Sequence, residues 1–205
     1  MKKKIVVLAS GLGTNFVALR EYIRKKKLNA EIVALITDNP TSNSLLIALS
    51  FGIEPIALSF EKTARTELNL ALDEKLSIFT PDLIVTAGYM KILPEFIVNK
   101  YENRIINIHP SLLPAFQGIN AIKRAWEYGV KVTGCTTHFV DNSLDGGKII
   151  LQTAIKIKPE MSETDLTGKI HKEEHKLLPK SVQYFIEDRI IIEDRKILIR
   201  ELKND

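Results

Sequence analysis

The chain has 205 residues, of which 45% are hydrophobic and 26% charged, and a net charge of +4; these proportions exclude a disordered or fibrous polypeptide and fit a globular domain with its own core. The basic excess is too small to call for a nucleic-acid partner, and Cys135, the single cysteine, excludes an internal disulfide framework and a cysteine-based zinc site. The start, Lys2-Lys3-Lys4 and then Ile5–Ala9, imitates a signal peptide, but its apolar run ends at Ser10-Gly11, short of the roughly 7–15 residues such a segment needs. With no run near the ~20 apolar residues of a membrane span, a cytoplasmic protein is expected.

Short β-branched runs alternate with helical patterns along the first half. Lys4–Ala9, Glu31–Thr37, Glu54–Leu58 and Leu83–Ala87 read as strands, and Asn15–Lys27, Ser44–Phe51, Lys62–Phe79 and Pro94–Tyr101 as helices. This alternation predicts an α/β fold with a Rossmann-like parallel sheet flanked by helices, its ligands beyond the carboxyl ends of the strands. Arg104–His109 is a further strand, stopped by Pro110. Beyond it the texture changes: Ala121–Tyr128 is a helix, Val132–Val140 and Lys148–Ile157 are strands of a mixed sheet, and Glu163–Glu187 is helical with a kink expected at Pro179. Arg189–Ile192 and Lys196–Arg200 read as a hairpin. With no repeat or linker, residues 1–205 are expected to form one domain.

The first strand runs into Ser10-Gly11-Leu12-Gly13-Thr14-Asn15-Phe16, a glycine-containing turn opening a helix and hence an anion site. Phe16 stands where the dinucleotide fingerprint needs glycine, and the lysine of the Walker pattern is missing. Asp38 ends the second strand, where a ribose-binding acid of a nicotinamide enzyme would belong. In Arg104–Pro110 the strand period of two puts Asn107 and His109 on one face. An amide that holds a carbonyl oxygen beside an imidazole that titrates near neutrality suits acyl or formyl transfer. Asp145, in Asp141-Asn142-Ser143-Leu144-Asp145-Gly146-Gly147, is a third candidate, placed to orient the imidazole and favour its charged form; Asp141 fits equally well at this stage. His171-Lys172-Glu173-Glu174-His175 matches an inverted zinc-protease pattern but has no identifiable third ligand, so no metal is expected.

These residues carry a resemblance. Ser10–Asn15, Ala87–Leu93, Ile106–Pro114, Gly134–Val140, Leu144–Gly147 and Glu174-His175 occur in the order and spacing of the folate-dependent formyltransferase family, in its branch that formylates glycinamide ribonucleotide for purine biosynthesis. The resemblance implies a formyltransferase fold and a transfer of the formyl group of N10-formyltetrahydrofolate to the amine of that ribonucleotide, without metal or NAD. It implies Asn107, His109 and Asp145 as the catalytic set, Gly13, Thr14, Asn15 and Glu174 as ribonucleotide-binding residues, and Met90, Lys91, Ile92 and Leu93 with Asn107 as folate-binding residues. Lys91 replaces a common arginine, keeping the charge without the fork, and Arg65 is the candidate to share its task. Ile122 and His171 also depart from residues common in the family, histidine and glutamine. The rival is a formyltetrahydrofolate deformylase, which uses a similar triad with water in place of the amine. The partners expected are small molecules, with no nucleic acid or membrane.

Overall fold

In the computed structural model, which describes residues 1–58 and 65–201, the chain forms an α/β fold on a mostly parallel sheet flanked by helices. Contacts divide it into two compact units, Met1–Ile106 and Asn107–Asp205.

The first unit carries β1 (Lys3–Leu8), α1 (Thr14–Lys26), β2 (Ala30–Thr37), α2 (Asn43–Ser50), β3 (Glu54–Ala57), α3 (Arg65–Phe79), β4 (Leu83–Thr86), α4 (Glu95–Lys100) and the start of β5 (Ile105–His109). Its strand order is β3-β2-β1-β4-β5, with β1 parallel to both β2 and β4. Ile5–Leu8 and Leu83–Val85 are fully buried, as strands covered on both faces must be, which explains their unbroken apolar runs. The helices cover the sheet through single stripes: Phe16, Leu19 and Ile23 of α1, and Leu68, Leu72 and Leu76 of α3. Each such side chain contributes about 1.5–3 kcal/mol of burial. The helix expected from Lys62 is described from Arg65 onward; residues 62–64 lie outside the described residues.

The second unit takes over β5 at Asn107 and adds α5 (Ala121–Tyr128), β6 (Val132–Phe139), β7 (Ile149–Lys156), α6 (Glu163–Ile186), β8 (Ile190–Glu193) and β9 (Lys196–Ile199). Here the order is β5-β6-β7. The β6–β7 pair is antiparallel with an irregularity between Thr137 and His138, so the expected mixed sheet is present. A capping box starts α6: Asp165 N–H donates to Ser162 Oγ at 3.1 Å and Ser162 N–H to Asp165 Oδ2 at 3.1 Å. The helix continues through Pro179 as one 24-residue element. The Thr137 and Ser181 hydroxyls hydrogen-bond at 2.6 Å, fastening α6 to β6. β8 and β9 form a separate antiparallel hairpin, as the sequence pattern predicts.

Candidate active site

The second unit assembles a polar cluster at the end of β5. Pro110 stops the strand, and the loop behind it is sewn down by one hydroxyl of β6. Thr136 Oγ1 donates to the Ser111 carbonyl at 2.7 Å, accepts from Leu113 N–H at 3.1 Å and from Gln152 Nε2 at 2.9 Å; Gln152 Nε2 also donates to the Leu113 carbonyl at 2.9 Å. The loop thereby brings the Phe116 carbonyl 2.9 Å from His109 Nε2. On its other side, His109 Nδ1 lies 3.3 Å from Asp145 Oδ2. A ring with an acceptor at each nitrogen is fixed in orientation and can hold a proton at both.

Asp145 occupies the left-handed region, φ 50°, which Asp tolerates better than most residues. Its Oδ2 also accepts the Gly118 N–H at 2.8 Å, and Gln117 Nε2 donates to its carbonyl at 3.4 Å. Oδ1 faces Asn107 Nδ2 at 3.5 Å. Asn107, His109 and Asp145, picked out separately in the sequence, are therefore neighbours. Asp141 is engaged otherwise: its Oδ1 accepts the Ser143 N–H at 2.9 Å and the Ser143 hydroxyl, closing a local turn.

One member of the cluster was absent from the predicted site. His138, 2% exposed, has Nε2 3.1 Å from Asn107 Nδ2 and 3.7 Å from Asp145 Oδ1. Its Nδ1 lies 2.9 Å from the Phe139 carbonyl. A proton on Nδ1, donated to that carbonyl, leaves Nε2 to accept from the Asn107 amide. Burial drives the His138 pKa below the ordinary histidine value, although the Phe139 carbonyl and Asp145 pull the other way. Thr133–Phe139 are buried without a break, so no alternation of apolar and polar exposure along β6 singles out His138 as a site residue.

The first unit holds the predicted anion site. Gly13, φ 76°, caps α1, and no side chain caps that end. In an α-helix the first N–H groups lack intrahelical acceptors and point outward, with the positive end of the dipole. A Cβ at Gly13 would lie 2.9 Å from Ser44 Cβ, so close packing as well as the left-handed backbone requires glycine. The turn is fixed by its neighbours: Ser42 Oγ donates to the Gly11 carbonyl at 2.6 Å, and Asn39 Nδ2 to the Ser10 carbonyl at 3.3 Å. Thr14 is exposed and Asn15 half-buried. Asp38 accepts from the Ser10 hydroxyl, which itself accepts the Met90 N–H at 2.8 Å; the acid considered for ribose thus braces the turn.

The remaining candidates lie as follows. Met90 and Ile92 are exposed, Leu93 is buried, Lys91 is exposed, and Arg65 begins α3. Glu174, on α6, is 5% exposed, close enough to the Cys135 thiol to help push its pKa up to about 12, an effect led by burial. Of the histidine pair in the inverted zinc pattern, His171 is exposed and His175 has a buried Nε2 without a hydrogen-bond partner. Among the described residues, no three His, Cys, Asp or Glu side chains gather as a metal-binding group, and no helix is long and apolar enough to cross a membrane.

The formyl transferase family model matches residues 3–182, and the chain belongs to that family. It is 38% identical to the phosphoribosylglycinamide formyltransferase of Bacillus subtilis over 90% of this chain and 95% of that protein. The crystal structure of glycinamide ribonucleotide transformylase 1 from Symbiobacterium toebii superposes with a TM-score of 0.93 at 37% identity, covering 98% of this chain and 95% of that one. A formyltetrahydrofolate deformylase from Pseudomonas syringae gives a TM-score of 0.92 at 25% identity, covering 98% of this chain and 67% of that one. The chain spans 18% of the trifunctional purine biosynthetic protein adenosine-3 of Gallus gallus, to which it is 40% identical.

Proposed function

We propose that this formyl transferase moves the formyl group of N10-formyltetrahydrofolate to the amine of glycinamide ribonucleotide, a step of de novo purine biosynthesis, acting in the cytoplasm as one formyltransferase domain over residues 1–205. The observation that carries the reading is the convergence of Asn107, His109 and Asp145, with His109 Nδ1 3.3 Å and Asn107 Nδ2 3.5 Å from the same carboxylate. The 38% identity to the Bacillus subtilis formyltransferase over nearly its whole length favours this acceptor.

In this mechanism the amine attacks the formyl carbon and the carbonyl oxygen becomes an oxyanion. The Asn107 amide and the His109 imidazolium stabilise that charge as it develops. Asp145 keeps the ring oriented and assists, through water, the transfer of a proton from the attacking nitrogen towards N10, after which the C–N10 bond breaks and tetrahydrofolate leaves. The α1 N-terminus, with Gly13, Thr14 and Asn15, binds the ribose phosphate, and Glu174 serves the same ribonucleotide. Met90, Lys91, Ile92 and Leu93 contact folate, with Arg65 near its glutamate tail. The chemistry assigned to these residues calls for no metal and no NAD.

The test is product analysis with a formyl donor labelled in the formyl group. Label recovered on the ribonucleotide, with release dependent on that acceptor, is expected. Free formate produced at the same rate with and without the ribonucleotide would replace this reading with the deformylase.

A further inference from the structure

The C-terminal hairpin reaches back to the loop that carries Asp145. Two strands of four residues are too short to hold their own shape in water, yet this pair is tied at both ends. At its base Arg189, 4% exposed, donates from Nε to the Arg200 carbonyl at 2.7 Å and from Nη1 to Glu187 at 3.3 Å, and its guanidinium lies 4.7 Å from the centre of the Tyr184 ring. The Arg200 N–H returns a bond to the Arg189 carbonyl at 2.8 Å. At its tip Arg195 extends across 49 positions of sequence and donates from Nη2 to the Gly146 carbonyl at 2.7 Å.

Gly146 follows Asp145, so this bond grips the peptide next to the carboxylate that faces His109. That stretch of loop needs holding. Asp145 has a left-handed backbone, a conformation that persists in a non-glycine residue only where its surroundings impose it. Gly147, next along, leaves no room for a Cβ against the Phe139 carbonyl. Gln117 donates to the Asp145 carbonyl and Arg195 to the one that follows it. We propose that Arg195 is a positioning residue: the hairpin braces the 141–147 loop through Gly146 and thereby holds Asp145 in register with His109.

The inference rests on the proposed formyl transfer, in which Asp145 orients His109. Because the Arg195 bond is exposed, it contributes little to global stability, and its effect belongs in kcat. For Arg195→Ala, kcat should fall about 3- to 10-fold, a fraction of the loss caused by a full ångström of misplacement. Both KM values should stay within about twofold, and the melting temperature within about 2 °C. Hydrogen exchange followed by mass spectrometry should quicken more in peptides spanning 141–147 than in those spanning 189–200, whose base Arg189 still holds. Arg195→Lys, which keeps a donor, should recover most of the lost rate, and Lys196→Ala, on the same hairpin, should match the parent. A kcat for Arg195→Ala within 1.5-fold of the parent, unchanged exchange in 141–147, or equal quickening throughout the hairpin would overturn the proposal. If the parent protein transfers no formyl group, the functional reading fails by itself, and the exchange measurement alone decides whether Arg195 braces the loop.

Discussion

Replacing Asp145 with asparagine separates charge from shape at the centre of the cluster. Asparagine accepts the left-handed backbone at φ 50° as readily as aspartate, so the loop should survive. It has one acceptor oxygen in place of two. If that oxygen keeps the Gly118 N–H at 2.8 Å, the new amino group sits where Oδ1 stood, 3.5 Å from the Asn107 amino group, and His109 loses its anion. The flipped amide keeps neither the Gly118 nor the His109 contact. Hydrogen bonds to a charged group contribute about 1.5–3 kcal/mol against about 1 for neutral pairs, so the change at His109 and Gly118, with the donor–donor clash at Asn107, removes about 2–4 kcal/mol. Expressed in the transition state at about 1.4 kcal/mol per decade, this lowers kcat by about 30- to 1,000-fold. Steady-state formyl transfer, with circular dichroism to verify folding, gives the measurement. A folded variant whose kcat stays within fivefold of the parent would refute the role given to the carboxylate.

Gly13→Val should weaken the ribonucleotide selectively, since its Cβ meets Ser44 Cβ at 2.9 Å and pushes the α1 terminus out of place; the expected KM rises at least about tenfold for that substrate and stays within about twofold for folate, and equal losses for both would remove the anion-site assignment. His138 makes stability depend on acidity. Its folded pKa lies below its unfolded value because of burial, so as pH falls through about 6.5 the unfolded chain binds the proton first and stability declines, with a limiting slope of about 1.4 kcal/mol per pH unit. His175, also lowered by burial, adds a loss of the same sign. Urea denaturation at pH 7.5, 6.0 and 5.0 should give a shallower acid decline for His138→Gln than for the parent, and identical profiles would contradict the buried neutral imidazole.

What the sequence disclosed and withheld follows from the range of the forces involved. Strands covered on both faces advertise themselves as unbroken runs such as Ile5–Leu8 and Leu83–Val85, and helices through stripes such as Leu68, Leu72 and Leu76. Asn107 and His109 were legible because β5 is regular up to Pro110. The choice between Asp141 and Asp145 was not, since both sit in one loop; what separates them is that Asp141 is bonded within its own turn while Asp145 accepts the Gly118 N–H and faces His109. His138 stayed hidden for a different reason. Both faces of β6 are buried from Thr133 to Phe139, so no contrast of exposure along the strand marks His138, and its partners Asn107 and Asp145 come from distant parts of the chain.

The hydroxyl of Thr136 has a consequence for how this architecture can diverge. The carbonyl that steadies His109 belongs to a loop, and loops ordinarily drift in length and shape. Here the 111–113 stretch takes its geometry from a side chain of β6, which meets the Ser111 carbonyl and the Leu113 N–H together, while Gln152 of β7 grips the same place. Position is therefore set before the chain reaches α5. Insertions beyond Gly118 would be absorbed downstream, with the imidazole left where it is, whereas the loss of one methyl-bearing alcohol on β6 would be felt at a histidine that it never touches.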